Sequence, residues 1–76
     1  MTNLPRFPIT INRQIVKCES KEDRQLLRDA EALAADPGAA KDTSISRLHL
    51  MKDVCQRYSR GALQRLVKRE IDAVGR

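Results

Sequence analysis

The sequence predicts a small α+β domain, mostly helical, in which an N-terminal strand or short hairpin is followed by three helices. Three observations indicate this fold: alternating apolar and polar residues from Ile9 to Cys18, a capped helical pattern from Ser20 to Ala35, and two later apolar stripes at helical spacing. With 76 residues the chain has room for one hydrophobic core. We therefore divide it into an extended arm at residues 1–8 and a single domain at residues 9–76.

The first element is expected in the stretch ITINRQIVKC. Apolar and polar residues alternate at its start, and the apolar pattern resumes at Ile15 or Val16 after a polar break at Asn12 and Arg13. One strand or a hairpin that turns at this break fits the pattern, although no glycine is present to favour a tight turn. Two prolines before the stretch favour extended backbone at the residues that precede them, which predicts the arm.

The clearest element is a helix from Ser20 to Ala35. Ser20 is a suitable N-cap, with Asp23 at the acidic position of a capping box. Asp36-Pro37-Gly38 ends the helix, because a residue before proline disfavours helical geometry and glycine is expected to be left-handed there. Residues 38–43 are then expected to form a loop. The apolar stripe of this helix consists of Leu26, Leu27, Ala30, Leu33 and Ala34.

Two further helices are predicted after the loop. The second is capped by Thr43 or Ser44 and runs to about Tyr58, and the third follows an interruption at residues 59–61. We expect Leu33 and Leu66, at the centres of their stripes, to be core residues. The two later stripes are Leu48, Met51, Val54, Cys55 and Tyr58 in the second helix, and Leu63, Leu66, Val67, Ile71 and Val74 in the third.

The composition indicates a thin stability margin and a polyanionic partner. Fifteen Lys and Arg against ten Asp and Glu give a formal net charge of +5, and a basic excess favours nucleic acid, a membrane surface or an acidic protein. Phe7 and Tyr58 are the only aromatic residues, so the core must be aliphatic. Small domains of this kind often gain stability by association, which leaves a homodimer open.

No assembled catalytic site is visible. The only histidine, His49, shares a helix face with Asp53, but an exposed pair at this spacing is more commonly a surface contact than a general base. Cys18, Cys55 and His49 lack metal-site spacing and a fourth ligand, and there is no phosphate-binding glycine loop. We expect a non-enzymatic protein without cofactor or metal, whose cysteines are buried free thiols.

We expect no signal peptide at the N-terminus. The stretch MTNLPRFPITI contains two prolines and no continuous apolar run, so it does not resemble a signal peptide. No segment approaches the roughly 20 apolar residues of a membrane span, and a membrane-surface helix would need a broad apolar face free of the core. We therefore expect a cytoplasmic protein without membrane contact.

The basic C-terminal helix is the candidate for function. Tracks of Arg and Lys on one helix suit phosphate neutralisation, and Gln64 among them has the amide geometry that suits adenine in a major groove. The same face also fits an ordinary solvated surface, because charged outer faces are the rule on surface helices. The candidate residues for binding nucleic acid or a partner are Arg57, Arg60, Gln64, Arg65, Lys68 and Arg69.

The stretch LMKDVCQRYSRGALQRLVKRE has the outline of a helix-turn-helix with Gly61 in the turn. Over about twenty residues it resembles the small regulators of the excisionase and prophage-regulator type, through KDVC, SR and RLVK. It departs from that family in a shorter turn and in lacking the small residue expected beside Ser59. The resemblance implies that the last two helices form an atypical helix-turn-helix of a DNA-binding transcription regulator.

A protein-binding module is the alternative function. A small basic domain without a catalytic site could bind an acidic surface of another protein and inhibit or bridge it, as phage- or plasmid-type accessory proteins do. The acidic residues of the first helix favour this alternative, because they would repel DNA unless that helix faces away. RNA binding is less well supported, since no exposed aromatic stacking residues are visible.

Overall fold

The computed structural model describes residues 7–74 as an antiparallel two-stranded hairpin followed by three α-helices. The predicted α+β, mostly helical fold is thereby confirmed. A 3-10 helix at Pro37–Asp42 connects the first two α-helices. The elements are β1 at Phe7–Ile11, β2 at Gln14–Cys18, α1 at Lys21–Ala35, α2 at Ile45–Arg57 and α3 at Gly61–Val74.

The hairpin turns at Asn12 and Arg13, which is the second of the two alternatives that the sequence left open. Ile11 pairs with Gln14, so the loop has two residues, and their φ angles are 53° and 67°. Positive φ at both positions is typical of a type I′ turn, whose twist matches that of the flanking strands. Asn tolerates this left-handed backbone, whereas Arg13 occupies a position that favours glycine.

The two faces of the hairpin differ in burial. The inner face packs against the helices, with Ile9, Ile11, Val16 and Cys18 buried. Ile15 is 69% exposed on the outer face, so the buried pattern resumes at Val16 and not at Ile15.

Pro8 is part of β1, where it pairs with Lys17. Along the hairpin, hydrogen-bonded pairs alternate with non-hydrogen-bonded pairs, starting from the hydrogen-bonded pair Ile11–Gln14 beside the loop. The pair Pro8–Lys17 is therefore a non-hydrogen-bonded pair. Proline therefore removes no ladder hydrogen bond at this position. Because β1 begins at Phe7, residues 7 and 8 of the predicted arm belong to the strand, and the rest of that prediction, residues 1–6, lies outside the described part of the chain.

α1 begins as predicted and ends differently. Ser20 is its N-cap, and the Ser20 Oγ accepts a hydrogen bond from the Asp23 amide at 3.0 Å. At the other end the Asp36 carboxylate accepts the Gly38 amide at 3.1 Å. No glycine between residues 7 and 74 has positive φ. The predicted left-handed Gly38 is therefore wrong, and the predicted loop is largely the 3-10 helix, because a side chain and a proline-led turn organise this connection.

Ser44, and not Thr43, caps α2: its Oγ accepts a hydrogen bond from the Arg47 amide at 3.2 Å. Both residue types are good N-caps, so the sequence alone left the choice open.

The turn between α2 and α3 is a Schellman motif. The Arg60 amide donates to the Cys55 carbonyl at 2.7 Å, and the Ser59 amide donates to the Gln56 carbonyl at 3.1 Å. Ser59 is the left-handed residue, with φ of 59°. The sequence had indicated that Gly61 lies in this turn. That prediction is wrong, because Gly61 is the first residue of α3.

The core is aliphatic and lies between the hairpin and the helices. Cys18 and Cys55 are buried free thiols, as predicted. Leu33 is confirmed as a core residue, but Leu66 is only half-buried. Leu66 precedes Val67 by a rotation of about 100° around the helix, which puts it at the margin of the stripe. The largest enclosed side chains are Leu27, Leu33, Leu48, Met51, Val54, Cys55 and Val67.

Two residues assigned to the apolar stripes are exposed. Ala34 lies on the outer side of α1, and Val74 in the last turn of α3 is 45% exposed. Within residues 7–74, no helix has the length and apolar character required to cross a membrane.

Candidate functional site

Arg57 is held by an internal ion pair. Its Nη1 donates to Asp23 Oδ2 at 2.8 Å, and its guanidinium lies 6.0 Å from the centre of the Tyr58 ring. The Asp23 charge and hydrogen bond raise the pKa of Arg57 above its ordinary value. This predicted binding residue therefore fastens the end of α2 to the start of α1, although 54% of its side chain remains exposed.

Asp23 is the buried charge at the centre of this cluster. Its Oδ2 also accepts the Tyr58 hydroxyl at 2.7 Å, and that hydroxyl accepts the Glu19 amide at 2.8 Å. Burial, followed by the hydrogen bond to Asp23, raises the pKa of Tyr58. The sequence assigned Asp23 only to the first turn of a helix, because nothing local indicates that Tyr58 lies beside it.

Arg60 connects the α2–α3 turn to the hairpin. Its Nε donates to the Tyr58 carbonyl at 3.0 Å, and its Nη1 donates to the Gln14 side-chain oxygen at 2.8 Å. The spacing of Arg57, Arg60, Gln64 and Lys68 predicts one track along a helix, but this track is interrupted, because α2 ends at Arg57 and α3 begins at Gly61. The structure thus divides the six candidate residues into two that make internal contacts and four that lie on α3.

Three of those four form an exposed group, which we call the α3 basic face: Arg65, Lys68 and Arg69. This face lies opposite Val67, which is fully buried. Lys68 Nζ is 3.9 Å from Asp72 Oδ2, and both side chains are more than 60% exposed. Such a pair contributes little to stability. Neither Arg65 nor Arg69 forms an ion pair within the part of the chain that the structure describes.

Gln64 occupies a different position from these cations. It is half-buried and lies between the α3 basic face and the core side of the helix. The structure therefore places Gln64 beside the cations, as the helical spacing indicated, but not on the centre of the exposed face.

The other polar candidates do not come together as a reactive site. His49 and Asp53 are both exposed on α2, and no ion pair joins them among residues 7–74. Burial raises the pKa of the Cys55 thiol to about 11. Burial and the Asp23 charge also raise the pKa of Cys18. Both thiols are therefore protonated near neutral pH, which disfavours a role as nucleophile. No cluster of His, Cys, Asp and Glu suited to a metal ion occurs in the described residues.

No family model, no curated protein and no solved structure matches this chain. The resemblance of the α2–α3 stretch to helix-turn-helix regulators therefore rests on about twenty residues alone. What the protein binds has to be inferred from the surface that it presents.

Proposed function

We propose that the protein is a small non-enzymatic regulator that binds duplex DNA through the α3 basic face. The observation that carries the proposal is the exposure of Arg65, Lys68 and Arg69 on the side of α3 that faces away from the core. Three cations against Asp72 alone give this side a net charge of +2. An unshielded cationic helix face attracts a polyanion, and duplex DNA presents the required density of negative charge.

The chemistry of the face suits contacts with phosphate. Arg presents a planar fork of donors that binds a phosphate through two hydrogen bonds, and both Arg65 and Arg69 are exposed. Lys68 adds a mobile point charge, since its 3.9 Å contact with Asp72 is at the limit of an ion pair. Gln64 is the proposed base-edge contact, because an amide at the border of such a face can reach adenine once the helix lies in a groove.

Arg57 and Arg60 have a secondary place in this proposal. Each already donates hydrogen bonds within the chain, Arg57 to Asp23 and Arg60 to Gln14. Replacing either would alter folding as well as binding. We therefore propose the remaining donors of these residues only as additional phosphate contacts at the edge of the α3 basic face.

An acidic protein surface is the second candidate partner. Two exposed aliphatic residues favour it, because Ile15 is 69% exposed and Leu50 is 53% exposed. Phosphate binding requires neither side chain, whereas protein interfaces combine apolar contacts with charged ones. The cations of the α3 basic face would then pair with carboxylates.

A titration against random-sequence duplex DNA at two salt concentrations tests the DNA proposal. At low salt the chain should bind more tightly than roughly 100 μM, and affinity should fall steeply as salt is added. Changing Lys68 and Arg69 together to Ala should weaken binding and reduce the slope of log K against log salt by up to about two. Absence of binding tighter than that limit would exclude DNA as the partner.

Matched variants separate the α3 basic face from charge in general. Changing Lys21 and Lys41 to Ala removes two exposed cations outside α3 and should leave the salt slope unchanged. Gln64→Ala should change sequence preference more than salt dependence, since a base-edge contact carries no counterion release. Equal losses from the two double variants would show that net charge, and not this face, is responsible. A pull-down from lysate that recovers one acidic protein, and that depends on Arg65 and Arg69, would favour an acidic protein surface as the partner.

A further inference from the structure

We propose that the protein forms a homodimer in which two copies of α2 pack antiparallel about a two-fold axis at Leu50. This inference does not depend on DNA binding. It rests on an exposed aliphatic side chain and on the arrangement of charges around it.

Leu50 borders a groove between α1 and α2. The groove encloses about 470 Å³, and its lining includes Leu26 on α1 as well as Leu50. Leu26 is 8% exposed and Leu50 is 53% exposed, so the groove has an apolar floor with an aliphatic side chain standing at its edge. The rest of its lining is polar or charged, which is the usual pattern of an interface with an apolar centre and a polar rim.

The charges on either side of Leu50 suit a second copy of this chain. Arg47 and Asp53 lie three residues before and three residues after Leu50, so all three are neighbours on one side of α2. In a two-fold antiparallel pair centred on Leu50, a position n residues before the centre faces the position n residues after it on the other copy. Arg47 then faces Asp53 of the partner subunit, and the same contact occurs twice.

Both side chains are available for such a contact. Asp53 is exposed and forms no ion pair within the part of α2 and its surroundings that the structure describes. Arg47 donates to Asp29 through Nε and Nη2, which leaves its Nη1 free of that contact, and 44% of its side chain is exposed. A uniformly acidic or basic partner would match only one of these two charges. A second copy matches both.

The size of the domain provides a reason for association. A 76-residue chain with an aliphatic core has a small stability margin, and burial of Leu50 against its symmetry mate would add apolar area to that core. The contact closes on itself, so it would produce a dimer and no larger assembly.

Sedimentation equilibrium of the full chain without DNA tests the proposal. The chain should be dimeric at roughly 100 μM, a concentration that detects interfaces of modest affinity. Leu50→Asp should raise the dimer dissociation constant by at least about tenfold, because it puts two carboxylates at the two-fold axis. Gln56→Asp introduces the same charge at an exposed position of α2 that lies about 120° around the helix from Leu50 and should leave the dissociation constant nearly unchanged.

A charge exchange tests the orientation of the two helices. Asp53→Arg alone should weaken the dimer because two arginines then face each other, and Arg47→Asp alone should weaken it because two carboxylates do. An equal mixture of the two variants should form a heterodimer, since each contact again joins opposite charges. Circular dichroism checks that Arg47→Asp, which also loses its Asp29 partner, remains folded. If the Arg47→Asp variant does not fold, the dissociation constants of the Leu50→Asp and Asp53→Arg variants test the proposed interface instead.

The outcomes are distinct from those of the DNA titration. A wild-type chain that stays monomeric up to about 1 mM, beyond the range of specific weak association, overturns the proposal. A dimer that neither Leu50→Asp nor Asp53→Arg weakens overturns the assignment to this surface. Dimer loss in both variants together with an unaffected Gln56→Asp control supports it.

Discussion

Tyr58 donates a hydrogen bond of 2.7 Å from its hydroxyl to Oδ2 of Asp23, a residue 35 positions earlier in the chain. The same oxygen atom of Asp23 accepts Nη1 of Arg57, and the Tyr58 hydroxyl accepts the amide of Glu19. The residue after β2, the first turn of α1 and the end of α2 therefore meet at one polar cluster. Because Asp23 is buried, its carboxylate depends on these donors to offset the loss of water.

Tyr58→Phe should lower the free energy of unfolding by about 1–3 kcal/mol, because it removes a donor from a buried carboxylate. It also leaves the Glu19 amide without its acceptor. Urea denaturation followed by circular dichroism measures the change. A double-mutant cycle with Asp23→Asn isolates the Tyr58–Asp23 coupling. Additive effects of the two substitutions would show that the hydrogen bond does not couple them.

Alkaline pH should destabilise the fold through Tyr58. Burial and the Asp23 hydrogen bond raise its pKa in the folded chain, so the folded state favours the protonated phenol. The resulting stability is fully present below the unfolded pKa of about 10 and is lost as pH rises through the higher folded pKa. Cys55, whose pKa is raised to about 11, contributes a loss of the same sign.

Absorbance can follow this ionisation directly, because Tyr58 is the only tyrosine and the chain has no tryptophan. The phenol should titrate at a higher pH in the native chain than in urea. Cysteine does not interfere with the comparison if the phenolate band is followed. Identical midpoints in the two states would contradict the burial and hydrogen bonding of the hydroxyl.

Arg13→Gly should stabilise the hairpin. A non-glycine residue in left-handed geometry costs about 1–2 kcal/mol, and glycine removes this cost. Glycine also has more conformational entropy in the unfolded chain, which offsets roughly 0.5–1 kcal/mol of the stabilisation. The expected net increase is roughly 0–1.5 kcal/mol. Asn-Gly is the preferred pair for a type I′ turn, which favours the upper part of this range. Arg13→Ala is the control: it removes the same charge but keeps the strained φ. Equal gains in both variants would assign the effect to charge.

The sequence predicted the parts of the fold that depend on local patterns. The Ser20 cap and the stripe around Leu27 and Leu33 are local, since a cap and a 3.6-residue period need no knowledge of the partner element. Left-handed turns were predicted less well. The sequence suggested Gly38 for such a conformation, whereas the structure has it at Asn12, Arg13 and Ser59, none of which is glycine.

The candidate site could be predicted only in part for a related reason. Exposure of Arg65 and Arg69 follows from helical periodicity once Val67 is known to point inward. The internal roles of Arg57 and Arg60 depend on where α1 and β2 lie, because Asp23 and Gln14 are distant in sequence. Tertiary contacts of this kind leave no trace in spacing along a single helix.

Leu33→Ala and Leu66→Ala should differ in cost, although the sequence assigns both to the centre of a stripe. Leu33 is 2% exposed, whereas Leu66 is half-buried at the margin of the core. Removing an enclosed leucine side chain typically costs about 2–5 kcal/mol, because the lost apolar transfer adds to the cavity left behind. At Leu66 the exposed part of the side chain gains nothing from folding, so we expect about 1–2 kcal/mol.

Urea denaturation of the two variants at the same pH and salt measures this difference. A domain of this length has a total stability of about 4–11 kcal/mol on the usual scale per residue, so Leu33→Ala should remove a large fraction of it, whereas Leu66→Ala should remove a smaller one. The two substitutions remove the same atoms, so each serves as the control for the other. If Leu66→Ala costs as much as Leu33→Ala, α3 is rotated relative to the core, and the α3 basic face that depends on this rotation would shift with it.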